Sequence, residues 1–332
     1  MGANWLVTLW SSPVHSTVMA MFRSKPFKAS FDPAYDDLDL VEARDEIVQG
    51  RWEPARDMLE ESRDFDRRVQ RVRVLADAVG TNPWIERWQA LDPHNRDAAV
   101  IRAQVEVVRA VRTHAQPGAP GLARQIKAAE EQCQRAIALD ARDPTPWISL
   151  LTLARVQEVS RDEFWRRWQE LRDRDEWSRE GNNQALIYLF AAWQGSHAEM
   201  YDFAYWLAGQ APNGSPLATL PLVAHAEAYR VRAVEAKAAG NQIGLDLHWT
   251  QDQVQSDLSG IMTRWFRVSR PNHAQAKLDL NYLAHALVYA DRHAEAAEVF
   301  TVIGAYATKL PWVYTGDPEQ AFGYWRERLI GN

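Results

Sequence analysis

A short stripe of polar and aromatic residues near the carboxyl end of the chain has the residue types and spacing of a binding surface. It consists of Asn281, Tyr282, His285 and Tyr289. Leu280, Leu283 and Leu287 recur at the spacing of an amphipathic helix, so the stripe falls on the adjoining face of that helix. Its amide, hydroxyl and ring groups suit an extended peptide, bound by hydrogen bonds and stacking. The alternative is that they pack on the next pair of helices.

Three further side chains follow one face of an Ala-rich segment upstream. His225, Tyr229 and Arg232 are spaced i, i+4 and i+7, which places them on one side of a helix. The opposite side of the segment carries small residues. The stripe is either the wall of a binding groove or the solvated edge of a central helix, and both interpretations stay open. The two stripes together are the predicted ligand-binding residues.

No pattern in the chain matches a catalytic or metal-binding signature. The triplet His-Ala-Glu begins at residues 197, 225 and 293, but a zinc deaminase needs a following Pro-Cys-x-x-Cys and a zinc protease needs His-Glu-x-x-His. The single cysteine, Cys133, excludes a disulfide within the chain and a zinc site with several thiolates. It falls in the apolar phase of a helix, which predicts a buried thiol. The sequence therefore predicts no catalytic residue, no metal and no cofactor.

The most basic cluster combines three arginines with two tryptophans. It consists of Arg161, Trp165, Arg166, Arg167 and Trp168. Arginine and tryptophan together can stack on bases and bind phosphates. Acidic residues surround the cluster along the same helix, however, and favour ion pairs between neighbours. The formal net charge of −6 also argues against nonspecific binding of nucleic acid, so a nucleic-acid partner is not expected.

Composition favours an all-α fold. The chain has 332 residues, of which 46% are hydrophobic, and its 16 Gly and 16 Pro separate long stretches rich in Ala, Leu, Glu, Gln and Arg. These residues are good helix formers, whereas alternating strand patterns are hard to find. The pattern predicts helices over 96–114 and 122–139, with a Pro- and Gly-rich loop at 116–121. Most of the 15 tryptophans fall in the apolar phase of helices, where they fill gaps or line a hydrophobic pocket.

The segment 276–309 is predicted to form two antiparallel helices joined at residues 291–293. Small side chains at Ala284 and Ala296 allow the two backbones to approach, and larger ones such as Phe300 flank them. This spacing resembles the tetratricopeptide repeat, a helical hairpin of about 34 residues. Weaker copies of the pattern occur upstream. They include Ala43, Gly50, Ala55 and Leu59, and the closing signature Leu91-Asp92-Pro93.

The resemblance implies stacked antiparallel hairpins that form an α-solenoid. In the tetratricopeptide family the first helices of the repeats line a concave groove, which commonly binds peptides or proteins. The stripe at 281–289 would then face the groove. On this basis residues 36–330 are predicted to be one helical-repeat domain, with a hinge near 211–217, where two prolines flank Asn213-Gly214-Ser215.

Residues 1–35 are predicted to form an irregular amino-terminal arm. The first 22 residues lack the basic region and the continuous apolar core of a secretory signal, and polar residues interrupt them too often for a membrane span. We therefore expect a cytoplasmic protein without a membrane partner.

These features predict a non-catalytic module that binds a protein or peptide and acts as a scaffold or regulator. The alternative hypothesis is an all-α enzyme or small-ligand receptor with an aromatic pocket between hairpins. An open trough favours the first hypothesis, and a deep cavity ringed by tryptophan with a few polar groups favours the second.

Overall fold

The computed structural model describes residues 27–78, 83–116, 118–241, 244–268 and 270–331. Within these ranges the chain forms sixteen α-helices and no β-strand, which confirms the predicted all-α class. The α-helices are α1 Leu38–Val48, α2 Glu53–Glu60, α3 Phe65–Ala78, α4 Trp84–Leu91, α5 Arg96–His114, α6 Leu122–Leu139, α7 Thr145–Gln157, α8 Arg161–Arg172, α9 Arg179–Tyr188, α10 His197–Gln210, α11 Leu220–Ala238, α12 Leu245–Trp249, α13 Asp252–Ile261, α14 Ala276–Tyr289, α15 His293–Ile303 and α16 Pro318–Ile330. None of these described helices is both long enough and apolar enough to cross a lipid bilayer.

Capping side chains set the start of several helices. Asn95 precedes α5, and its side-chain oxygen accepts hydrogen bonds from the backbone N–H groups of Asp97 (3.0 Å) and Ala98 (2.9 Å). A serine caps each of α8, α9 and α10 in the same way. The helices predicted over 96–114 and 122–139 are confirmed as α5 and α6. The loop between them contains strong helix breakers, which separate the two helices.

Alternate helices in the first half of the chain pack side by side. Helix α3 lies against α1 and α5, and α7 lies against α5 and α9. Helix α6 packs on both α5 and α7, and α8 packs on both α7 and α9. Helix α4 packs mainly on α5. Buried alanines at positions 98, 99, 103 and 110 of α5 let the neighbouring helices approach closely.

The predicted pair of helices near the carboxyl end is confirmed as α14 and α15, which pack on each other. Leu280, Leu283 and Leu287 are completely buried, as are Ala284 and Phe300. Helix α16 then packs on α15.

The two ends of the described chain contact each other. The Ser30 N–H donates to the Ala305 carbonyl oxygen (2.7 Å), and the Ser30 carbonyl oxygen accepts from the Ala307 N–H (2.8 Å). Nearby, the rings of Phe27 and Phe322 stack with their centroids 6.2 Å apart. Residues 27–35 of the predicted arm are therefore packed on the helical domain, and the rest of the arm lies outside the described residues.

The segment 211–217 is bonded to the turn that follows α13. The Gly214 N–H donates to the Arg264 carbonyl oxygen (2.7 Å). The Arg264 guanidinium in turn donates to the carbonyl oxygens of Ala208 (3.2 Å) and Ala211 (3.3 Å). The hinge expected at this segment stays a prediction.

Candidate ligand-binding cavity

A cavity of about 440 Å³, here called the central cavity, lies between α3, α9, α11 and α14. Helix α9 contributes most of its wall, with Arg179, Glu180, Asn183, Gln184 and Ile187. The rest of the wall includes Arg73 of α3, Glu227 and Arg230 of α11, Tyr282 of α14, and Trp193, Leu310 and Tyr314 from connecting segments. Four helices that are distant in sequence therefore converge on one space.

A buried ion pair holds α9 against α14. Arg179 Nε donates to Asp279 Oδ2 (3.0 Å), and Arg179 Nη2 donates to the other oxygen of the same carboxylate. Burial disfavours both charges, yet each group compensates for the other: Asp279 keeps the pKa of Arg179 above its usual value, and Arg179 keeps the pKa of Asp279 below it. This pair fixes the first turn of α9 and so positions the polar residues that follow it.

Glu180 connects three segments at the wall of the central cavity. Its Oε2 lies 2.9 Å from Arg73 Nη1 and accepts a hydrogen bond from Gln275 Nε2 (2.9 Å). Its Oε1 accepts a hydrogen bond from Gln184 Nε2 (2.6 Å). Because Glu180 is only 3% exposed, these donors replace the water that a carboxylate requires.

The acidic residue that α11 contributes to the wall is also neutralised. Arg230 Nε and Nη2 donate to the two carboxylate oxygens of Glu227, at 2.7 and 2.6 Å. The Tyr314 hydroxyl lies near this pair, where burial raises the pKa of Tyr314 to about 12 and the Glu227 carboxylate adds to the rise. Each carboxylate on the described wall therefore has an arginine partner.

The neutral polar groups of the wall, in contrast, have unused hydrogen-bonding capacity. Asn183 is 8% exposed, and its buried Oδ1 has no partner among the described residues. The Oε1 atom of Gln184 is also buried and unpaired in this part of the chain. Buried polar atoms in folded proteins are nearly always hydrogen-bonded, so these two amides beside one cavity are the candidate ligand-binding groups of the wall.

Arg155 places a positive charge beside the central cavity. Its guanidinium carbon lies 5.5 Å from the ring centroid of Trp193, which lines the cavity, and its Nε donates to the Thr152 carbonyl oxygen (3.2 Å). Burial lowers the pKa of Arg155 to about 10, although the Glu180 carboxylate opposes the shift.

Asn281, from the first predicted stripe, holds the loop 304–317 instead of lining the cavity. Its Nδ2 donates to the carbonyl oxygens of Lys277 (2.7 Å) and Tyr306 (2.9 Å). Its Oδ1 accepts from the Thr308 N–H (3.3 Å) and from Trp312 Nε1 (2.8 Å). Both donor hydrogens and both acceptor positions of this amide are therefore occupied, which leaves no capacity for a ligand.

The other members of the first stripe have three different environments. Tyr282 lines the central cavity, and burial raises its pKa above the usual range. His285 is completely buried with its Nε2 3.3 Å from Thr315 Oγ1, and burial lowers its pKa to about 3. Tyr289 is half-buried and meets Trp325 of α16 edge to face at 6.0 Å. Of the four predicted residues, Tyr282 alone contacts the cavity.

The second predicted stripe belongs to a different group of side chains, which we call the histidine cluster. It comprises His225, His248, Trp249 and His285, whose successive ring centroids are 5.6, 4.9 and 5.2 Å apart. Tyr229 packs on His248 with the ring centroids 5.8 Å apart. Arg232 Nη1 lies 3.4 Å from His248 Nδ1, and Arg232 itself is exposed. The rings of the cluster pack directly on one another.

His225 has an acidic partner, as a general base would require. Its Nε2 lies 2.8 Å from Asp257 Oδ2, which also accepts a hydrogen bond from the Tyr205 hydroxyl (2.8 Å). The second ring nitrogen, Nδ1, lies 3.0 Å from the Tyr201 hydroxyl. Both ring nitrogens of His225 therefore have partners within the protein.

All three arginines of the basic cluster form ion pairs within the protein. Arg166 and Arg167 both bond to Glu163 (2.7 Å each), and these hydrogen bonds lower the pKa of Glu163 to about 2. Arg161 pairs with Glu199 on α10. The ion pairing between neighbours that the sequence favours is therefore confirmed at Arg166 and Arg167, whereas the partner of Arg161 lies on another helix.

Cys133 is completely buried, as its position in the helical pattern predicts, and burial raises the pKa of its thiol to about 12. Among the described residues, no group of three or more His, Cys, Asp or Glu side chains could hold a metal ion.

The sequence pattern did not reveal residues 179–184, four of which line the cavity. They read Arg-Glu-Gly-Asn-Asn-Gln, and every one of them is buried in α9. A polar run usually indicates a surface. One feature of the sequence could have indicated this burial. The apolar residues 185–187 continue the same helix, and a helix that is buried at one end also buries part of the adjacent turn.

No model of a known protein family matches the chain, and no curated protein sequence is significantly similar to it.

Proposed function

We propose that the protein is a non-catalytic helical-repeat module that binds an extended polypeptide segment in the central cavity. The observation that carries this proposal is that Asn183 and Gln184 line the cavity while their buried amide oxygens have no partner among the described residues. An extended peptide presents N–H and C=O groups along its length, and a carboxamide can both donate to and accept from such a backbone.

The charge distribution of the wall supports a neutral backbone as the ligand. Arg179, Glu180, Glu227 and Arg230 are committed to partners inside the protein. A highly charged ligand would have to compete with these buried pairs, which is costly. A peptide backbone needs only the groups that remain, which are the two carboxamides and the hydroxyls of Tyr282 and Tyr314.

The packing of alternate helices supports the proposed likeness to tetratricopeptide repeats. The side-by-side order of α1, α3, α5, α7 and α9 is what stacked hairpins would give. Helix α9, the last of these, carries the two amides that line the cavity. We infer a degenerate α-solenoid in which one short stretch of the inner layer binds the ligand.

A small-ligand receptor with an aromatic pocket is the less supported alternative. That hypothesis predicts a deep cavity ringed by tryptophan. The described wall of the central cavity contains Trp193 among ion pairs and amides, and the groove lined by Trp165, Trp168 and Trp206 is more open than the central cavity.

The proposal is tested by selecting ligands from a random heptapeptide display library on the full chain. The affinity of each selected peptide is then measured by calorimetry against the wild type and Asn183→Leu, which keeps the side-chain size but removes the amide. We expect binding to weaken about tenfold or more, the effect of leaving peptide groups unpaired. The matched control is Asn241→Leu, at an exposed amide outside the cavity, which should bind normally. Equal affinity for Asn183→Leu and the wild type would contradict the proposal.

A further inference from the structure

An aromatic groove of about 370 Å³ lies between α8 and α10, two helices that do not contribute to the described wall of the central cavity. Its floor and sides are Trp165, Trp168, Leu189, Phe203 and Trp206. The rings stand at steep angles to one another: Trp168 meets Trp165, Phe203 and Trp206 edge to face, at centroid distances of 5.4, 5.6 and 6.0 Å. Trp206 is 45% exposed, an unusual position for the largest apolar side chain.

The charges at the rim of the aromatic groove favour a cation. Glu199 is neutralised by Arg161. Asp202 also lines the groove and is exposed, and within the described residues its carboxylate has neither an ion pair nor a hydrogen bond. The faces of the aromatic rings carry the negative part of their quadrupole. The groove therefore presents one unpaired carboxylate beside electron-rich rings.

An arginine of the chain itself demonstrates how such a cation binds here. The Arg172 guanidinium lies 4.9 Å from the ring centroid of Trp168 and 5.7 Å from that of Trp206. Its charge is balanced by Glu176, one turn further along the chain. The tryptophans of this groove thus already stack with a planar guanidinium, while Asp202 remains without a cation.

We propose that the aromatic groove binds an arginine side chain of a partner polypeptide. The guanidinium contacts the exposed part of Trp206, beside Arg172, and forms a charge-assisted pair with Asp202. Arginine fits better than lysine because its planar group is more weakly hydrated and pairs with a carboxylate through two parallel hydrogen bonds. The groove is open and Trp206 is partly exposed, which leaves room for the flanking backbone of a polypeptide. This site is independent of the peptide proposed for the central cavity.

The experiment uses the full chain labelled with 5-fluorotryptophan, with the Trp206 resonance assigned through the variant Trp206→Phe. The probes are acetyl-Gly-Gly-Arg-Gly-Gly-amide and the same peptide with citrulline or lysine in place of arginine. Citrulline has nearly the shape of arginine but no charge. The arginine peptide should shift the Trp206 resonance saturably, and citrulline should bind at least about tenfold more weakly, with lysine in between. Asp202→Asn should weaken binding of the arginine peptide, whereas the control Asp162→Asn, at an exposed acid of α8 outside the groove, should not.

Three results would overturn the proposal. Equal shifts with the arginine and citrulline peptides would show that the groove recognises a flat apolar surface. Equal affinities for Asp202→Asn and Asp162→Asn would exclude the carboxylate. A concentration-dependent dimer in sedimentation velocity that Trp206→Ala abolishes would show that a second copy of the chain occupies the groove.

Discussion

The central cavity and the histidine cluster use similar residues in opposite ways. Both involve α11 and α14, and both combine tyrosines with ionisable side chains. At the cavity the charged groups are paired with one another, while Asn183 and Gln184 line the open space and their buried oxygens have no partner among the described residues. In the histidine cluster the aromatic rings fill the space themselves.

The difference shows which property distinguishes a binding surface from a packed interior. Polar residues on an inner helix are present in both regions, so residue type alone does not separate them. Unpaired polar atoms also occur in packed regions, as the buried ring nitrogen Nδ1 of His285 shows among the described residues. Unused hydrogen-bonding capacity combined with adjacent space is found at the central cavity, and that combination carries the proposed function.

The largest effect is expected from breaking the ion pair that positions α9. Asp279→Ala leaves the Arg179 guanidinium buried without its main carboxylate, so we expect a loss of about 3–5 kcal/mol of unfolding free energy. Urea denaturation measures the loss. The control is Arg166→Ala, which removes a largely exposed ion pair and should cost less than about 1 kcal/mol. Similar losses for the two variants would show that the buried pair does not organise the cavity.

A comparison of two asparagines tests the difference between an amide that is hydrogen-bonded within the protein and one that has unused hydrogen-bonding capacity. Asn281→Leu removes four hydrogen bonds and leaves partners such as Trp312 Nε1 unpaired, so we expect a loss of about 3 kcal/mol. Asn183→Leu removes an amide whose oxygen has no partner among the described residues, and its stability should change by about 1 kcal/mol or less. Chemical denaturation of both variants provides the test. A large loss for Asn183→Leu would mean that the amide is structural.

The histidine cluster should make the protein less stable in mild acid. Burial lowers the pKa of His285 to about 3 and that of His248 to about 4, with the neighbouring charge of Arg232 opposing protonation of His248 further. The unfolded chain therefore takes up protons near pH 6.5 while the folded chain does not, so stability falls as the pH decreases below about 6.5 and levels off only below the folded pKa values.

Removing one of these histidines should flatten the pH profile. His285→Phe is expected to reduce the loss of unfolding free energy between pH 6.5 and 4.5 by about 2 kcal/mol. The control Ile303→Val, at a buried apolar position of α15, should lower stability by about 1 kcal/mol at every pH and leave the slope unchanged. Equal slopes for His285→Phe and the wild type would show that His285 is not a buried neutral base.

The smallest effect concerns charge near the central cavity. Arg155→Met removes a cation that stacks on Trp193 but keeps most of the apolar stem, so peptides selected on the wild type should lose only about two- to fivefold in affinity. Calorimetry at two salt concentrations checks this. A loss as large as that of Asn183→Leu would show that the ligand carries a negative charge and that the neutral backbone is not the main feature recognised.

Much of the helical structure could be predicted from the sequence, because local signals determine it. The loop before Leu122 determines where α6 begins, and the spacing of the buried leucines predicts α14. Both signals come from residues that are close in sequence. The polar start of α9 could not be placed in this way. Arg179 is buried because Asp279, 100 positions later, supplies its partner. A contact between residues so far apart in sequence cannot be predicted from the pattern of neighbouring residues.

The candidate site was predicted only at Tyr282. Tyr282 and Asn281 are adjacent on α14, and helical periodicity places both beside the leucine seam. Their different roles depend on the loop 304–317, whose backbone groups bond to Asn281 and leave Tyr282 at the cavity. Periodicity gives the face on which a residue lies, whereas the segment that covers this face is determined by the tertiary fold.

The most direct test of the central claim is to locate the bound polypeptide. A photoreactive benzoylphenylalanine is introduced at Ile187, in the cavity wall, or at Asp162, on the exposed surface of α8, and each chain is irradiated with a peptide selected on the wild type. We predict a cross-link from position 187 that excess unlabelled peptide removes, and none from position 162. Equal cross-linking at both positions, or a cross-link only from position 162, would contradict binding in the central cavity.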